Sequence, residues 1–165
     1  MEVEDCYLIG DFGVNPITRE IINEPVRLHF GDWYLQGYPH YAGSIIYLEN
    51  INLELEENEK AYINLGKHSA ITTAIWVNEK LAGYIPWKCI NGLDITRFLH
   101  NGENIIGIEV VGSPRNMLGP LHQKSGRRPW TDSRSFRTEK EEFTPDYVLM
   151  PFGLFDQVRL DIFEE

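Results

Sequence analysis

The spacing of apolar side chains along this chain is mostly that of strands. Between Leu154 and Phe163, Leu154, Val158, Leu160 and Ile162 share one parity, while Gln157, Arg159 and Asp161 share the other. Such alternation predicts a half-buried strand with one solvated face. Ile51, Leu53 and Leu55 alternate with Asn52 and Glu54, and Ala61, Ile63 and Leu65 with Tyr62 and Asn64. Ile71 to Val77 is rich in β-branched residues, and Ile105 to Val111 is apolar on both parities. These two predict central strands covered on both faces. Cys6 to Ile9, Val26 to Phe30, Ile45 to Leu48 and Tyr147 to Met150 are shorter strand candidates.

Helical signals are thin. Asp94 can cap one turn through Ile95, Thr96, Arg97, Phe98 and Leu99, which Asn101-Gly102 then ends. No other segment holds a helical period for three turns. Short strands separated by Gly, Pro and Asn predict an all-β fold, a sandwich or a barrel. Two stretches break the pattern. Gly31 to Gly43 crowds Trp33, Tyr34, Tyr38 and Tyr41 among glycines and a proline. Gly112 to Thr144 has no sustained period, and a loop of that length in a compact domain is usually functional.

At 165 residues and 19.1 kDa the chain fits one domain spanning 1–165, with 1–24 reading as a lead-in segment. A composition 42% hydrophobic and 24% charged excludes wholesale disorder and a disulfide-stapled miniature. No stretch approaches the ~18 apolar residues of a membrane span, so a membrane partner is not expected. The net charge of −10 repels a phosphate backbone, which argues against nucleic acid. Against that acidic background, Arg115 to Lys140 carries seven basic residues and only two acidic ones. Met1 to Gly10 lacks a basic and then apolar leader, so a cytoplasmic address is expected if Met1 is the native start. Cys6 and Cys89 lack metal-ligand spacing and read as reduced thiols, although sequence leaves a bridge between them open.

Residues 71–112 contain Val77-Asn78 and a turn, then Gly83, Asp94-Ile95-Thr96, Leu99, and Gly102-Glu103-Asn104 leading into an apolar strand. This arrangement resembles the galactose-binding-like jelly roll that beta-galactosidase- and beta-glucuronidase-type glycoside hydrolases use as an accessory sugar-binding domain. Gln36-Gly37-Tyr38-Pro39, Tyr41-Ala42-Gly43-Ser44, Arg115 to Pro120 and Pro151 to Leu154 resemble the C-terminal domains of bacterial proteins related to alpha-L-rhamnosidases. The resemblance covers about residues 25–163, with one departure: Glu79 stands where the family usually has glycine. It implies an antiparallel β-sandwich of jelly-roll type, with the irregular loop near residues 112–144. Independently of the family, Asn78 suits a left-handed turn and Asp94 with Thr96 can satisfy backbone donors. That is scaffold chemistry, and fold does not fix function.

Enzyme signatures are mostly missing: there is no nucleophile elbow, P-loop, dinucleotide fingerprint or zinc-protease motif. His29, His40, His68, His100 and His122 are scattered, so neither metal nor cofactor is expected. A sugar site needs less, namely exposed rings beside polar groups. Tyr38, Tyr41, Trp87, Arg115, Asn116 and His122 are the candidate ligand-binding residues, expected to converge on one concave end. The same rings could equally plug the ends of the sandwich. The resemblance implies a non-catalytic carbohydrate-binding accessory domain. Two alternatives stay open, a structural domain packing on a catalytic partner and a small glycosidase with a carboxylate pair. The basic loop suits an acidic sugar or the acidic surface of a neighbouring domain.

Overall fold

The computed structural model describes residues 8–86, 92–124, 131–133, 135–136 and 141–164. Among the described residues eleven strands follow one another: β1 (Gly13–Val14), β2 (Ile21–Ile22), β3 (Ser44–Leu53), β4 (Glu59–Asn64), β5 (His68–Ser69), β6 (Thr72–Val77), β7 (Lys80–Ile85), β8 (Leu93–Asp94), β9 (Gly102–Val111), β10 (Gly153–Leu154) and β11 (Arg159–Glu164). Their pairings are all antiparallel. One sheet runs β3-β9-β6-β7, facing a second with the order β11-β4-β8, and the pairs β10-β5 and β1-β2 complete the set. The fold is an antiparallel β-sandwich, as the alternation predicts. Among the described residues no helix is long and apolar enough to cross a membrane.

The register explains the core. Along β3 and β9, Ile45 faces Val110 and Tyr47 faces Ile108, on the parity turned inward. Val110, Ile108, Ile106, Ile75 and Val77 meet Ala61 and Ile63 of β4 and Ile95 in one buried cluster. Each such side chain stabilises the fold by roughly 1.5–3 kcal/mol. The opposite parity pairs Ile46 with Glu109 and Leu48 with Gly107, leaving Leu48 70% exposed. The central position expected of β6 and β9 holds, while the outer cover is only partial.

The quoted motifs build the scaffold. Asn78 and Glu79 form a two-residue hairpin turn with φ of 50° and 64°, so Glu79 adopts the left-handed geometry itself. The Asn78 side chain donates to the Phe98 carbonyl and to Asn104 Oδ1, and its own oxygen accepts from the Ile105 amide. Asn104 is buried and donates to the carbonyls of His100 and Gly102 while accepting from the His100 amide. Asp94 accepts from both the amide and the hydroxyl of Thr96, whose oxygen in turn accepts from the Ala61 amide. A short 3-10 turn, Thr96–Phe98, follows where one helical turn is expected.

Several local expectations change. The segments at 45–48 and 51–55 are one ten-residue strand, β3. The expected strand from Leu154 to Phe163 breaks in two, because the amides of Phe155 and Asp156 both turn to the Lys67 carbonyl. Val26 to Phe30 forms no strand, since the Gln36 side-chain amide occupies both backbone groups of His29. Tyr147 to Met150 forms none either, for Asn116 does the same to Met150. Leu8 and Ile9 are exposed outside any strand, and Cys6 and Cys89 lie outside the described residues.

Candidate functional site

The aromatic loop is folded around Trp33. Asp32 opens a 3-10 turn, Trp33–Gln36, by accepting from the Tyr34 amide, and the same oxygen accepts from the Phe152 amide. Burial raises the Asp32 carboxyl above its ordinary value, against the pull of those two bonds. The Gly31 and Trp33 amides donate to the carbonyls of Leu154 and Phe152, which docks the loop beside β10. This approach requires glycine at 153, where a Cβ would lie 2.2 Å from the Gly31 oxygen. Trp33 is buried and its indole donates to the Tyr47 hydroxyl at 2.8 Å. Gly37, at a φ of 102°, then turns the chain toward Tyr38 and Tyr41.

From here the candidate residues separate onto two adjoining surfaces. Tyr38 and Tyr41 meet edge to face, with centroids 5.5 Å apart, and both line a cleft. This cleft, about 1340 Å³ in volume, opens between β3 and β11, and buried core side chains such as Ile106 and Ile108 form part of its lining. The Tyr38 hydroxyl donates to Glu24, and its pKa is pushed up to about 12 by burial and by that carboxylate. His40, between the two tyrosines in sequence, is held on the other surface by the Asn116 carbonyl, 2.7 Å from its Nδ1.

That second surface gathers around Tyr147. His40 and His122 both meet its ring edge to face, at 5.8 and 5.1 Å, and Arg19 lies over it at 5.3 Å. His122 also stacks on Phe143, and its Nδ1 lies 3.0 Å from the Thr144 carbonyl. A carbonyl only accepts, so each Nδ1 carries the proton in these contacts, and in the neutral form of the ring Nε2 is the acceptor. Tyr147 and Phe143 are each 45% exposed. The surface therefore offers apolar ring area and acceptor nitrogens held by backbone contacts.

The helical turn α1, Arg115–Leu118, is tied to this surface by the Asn116 carbonyl at His40 Nδ1. The Asn116 side chain is buried, and Met150 occupies both its donor and its acceptor. Arg115, its neighbour, has one guanidinium nitrogen enclosed with no hydrogen-bond partner among the described residues. Trp87 lies outside the described residues. Sequence reasoning missed His40, Phe143 and Tyr147. Their only signal is position, since each sits within or just beyond the two aperiodic loops. No group of three or more metal-ligating side chains occurs among the described residues.

No protein-family model matches the chain, and no curated protein does. Among solved structures, it is similar to a rhamnosidase from Novosphingobium sp. PP1Y. The TM-score is 0.51 at 23% identity, over 74% of this chain and 11% of that one. It also matches an FMN-binding beta-glucuronidase from Facaelibacterium prausnitzii L2-6, with a TM-score of 0.47 and 17% identity over 87% of this chain and 19% of that one. The first likeness is one of fold. The chain is thus an all-β sandwich domain, similar in fold to a small part, 11%, of the much longer rhamnosidase chain.

Proposed function

We propose that this chain is a non-catalytic carbohydrate-binding accessory domain of a glycoside-hydrolase-like protein, with the galactose-binding-like kind of jelly roll. The observation that carries the reading is the surface around Tyr147. A pyranose has an apolar C–H face and a rim of hydroxyls, so it needs a ring to lie on and polar atoms around that ring. Tyr147 supplies the ring, with His40 and His122 at its edges offering Nε2 to sugar hydroxyls. Tyr38, Tyr41, Arg115 and Trp87 remain candidate contacts, and Asn116 acts by fixing the histidine and the loop. The fold likeness to part of a rhamnosidase supports the accessory role.

Calorimetric titration with neutral and acidic oligosaccharides tests this proposal. Tyr147→Ala should weaken binding by on the order of 1–3 kcal/mol, the scale for a lost ring contact. About half of the side chain is buried against His40, His122 and Arg19, so the melting temperature should fall by only about 2–4 °C and the domain stay folded for the titration. Saccharide affinity unchanged by Tyr147→Ala would remove the reading.

One observation favours a second reading, a structural domain that packs on a catalytic partner. The outer face of the four-stranded sheet exposes Ile46, Leu48, Tyr84 and Ile105, where an antiparallel sheet facing water usually carries polar residues. Saturable sugar binding by the isolated chain separates the two.

A further inference from the structure

The turn that closes the first hairpin brings a cation onto the ring surface. β1 and β2 pair antiparallel, and the Val14 amide donates to the Gly37 carbonyl, which ties the hairpin to the loop that carries His40. Asn15 sets the turn between the two strands. Its side-chain oxygen accepts from the amides of Ile17 and Thr18, its carbonyl accepts from the Arg19 amide, and its own amide donates to the Glu20 carbonyl. Arg19 lies in the left-handed region at φ 60°, where glycine and asparagine fit more readily than a long side chain. Its guanidinium stands over the Tyr147 ring, 5.3 Å from the centroid. The Arg19 side chain is exposed, and among the described residues that ring is its partner. An exposed contact of this kind is weak, so the N–H donors of the guanidinium stay available to a solute.

We infer that Arg19 reads charge at the Tyr147 surface and that the saccharide bound there is acidic, a uronate-containing chain. The inference rests on the carbohydrate-binding reading and narrows it. His40 and His122 stand at the edges of the ring with Nδ1 held by backbone carbonyls, and they offer Nε2 to hydroxyls of any sugar. Arg19 discriminates. It covers one face of the ring with positive charge, which a neutral pyranose must displace before its C–H face can lie there. A uronate turns the same group into a contact. Its carboxylate accepts two parallel N–H···O bonds from the guanidinium as the side chain swings aside, and the freed ring receives the sugar's C–H face. The flexible stem makes this movement while the hydrogen-bonded turn keeps its place. In a chain of net charge −10, a local cation at the ring is what lets an anionic saccharide settle there.

Arg19→Gln tests this, because glutamine keeps a polar side chain on the same turn but carries no charge. The position is exposed, so the melting temperature should stay within about 2 °C. Calorimetry on the full chain uses short oligosaccharides of galacturonate and glucuronate, the same oligosaccharides with their carboxylates methyl-esterified, and sodium acetate. Wild type should bind an acidic oligosaccharide about 10-fold tighter than its ester, the difference between a charge-assisted and a neutral hydrogen bond. Arg19→Gln should erase that preference. It should also tighten ester binding about 2- to 5-fold, the size of an exposed cation–π contact released from the ring. Equal affinity of wild type for acid and ester overturns the inference while the carbohydrate reading stands. A preference that survives in Arg19→Gln overturns it as well, since another cation would then read the charge. Acetate binding as tightly as the uronates overturns it in favour of a bare anion site. Failure of every saccharide to bind removes both readings.

Discussion

Asn104→Ala should be among the most damaging single changes in this chain, and its cost can be worked bond by bond. The side chain is 1% exposed, so water does not reach it in the native fold. It donates to the carbonyls of His100 and Gly102 at 2.7 and 3.0 Å, and accepts from the His100 amide and the Asn78 side chain at 3.0 and 2.9 Å. Each neutral hydrogen bond contributes roughly 1 kcal/mol net, and an orphaned buried group costs more than that. His100 itself is exposed, so water can rescue part of the loss. About 3 kcal/mol remains. For a domain of this size that lowers the melting temperature by about 6–12 °C. Urea denaturation should show a lower midpoint with an unchanged slope, and calorimetry the matching shift. A loss below about 1 kcal/mol would refute the reasoning, because it would mean that the network is no better than water.

Three further outcomes follow from single sites. Glu79→Gly relieves a left-handed residue at φ 64° and should stabilise by about 0.5–1 kcal/mol, net of glycine's unfolded-state entropy; a lower melting temperature would count against the turn geometry. The Asp94 pKa is held below 3.8, chiefly by its hydrogen bond from the Thr96 side chain. Its contribution is therefore complete above pH 3.8 and is lost as pH falls through the lower folded value. Asp94→Ala should flatten that acid limb in a series of melting curves. Tyr38→Phe should remove one phenol that ionises near 12 from an alkaline absorbance titration, and an unchanged step there would count against the contact of Tyr38 with Glu24.

Much of the fold was legible because burial imposes a period of two. The parity of Ile51 and Leu55, of Ala61, Ile63 and Leu65, and of Leu154, Val158 and Leu160 points each to the core as read. What alternation cannot show is which backbone groups a distant side chain will take. Val26, Leu28 and Phe30 alternate like a strand, yet the Gln36 amide holds the His29 backbone and keeps the segment from a ladder. The site was legible as two unusual loops, with His122 and Asn116 singled out within the second. Tyr38 and Tyr41 stood out by composition, whereas Tyr147 gained meaning only when folding set it between His40 and His122. Arg115 was a candidate from its place beside the long loop, and only the fold shows that one of its guanidinium nitrogens is enclosed.

Titration of the isotope-labelled chain with oligosaccharides, followed by amide chemical shifts, tests the central claim most directly. Binding at the loop surface should move the amides of His40, His122, Thr144 and Tyr147 in a saturable way. The outer face of β3 and β9, at Ile46, Leu48 and Ile105, should stay still. Shifts confined to that outer face, or none at any saccharide concentration, would contradict the account.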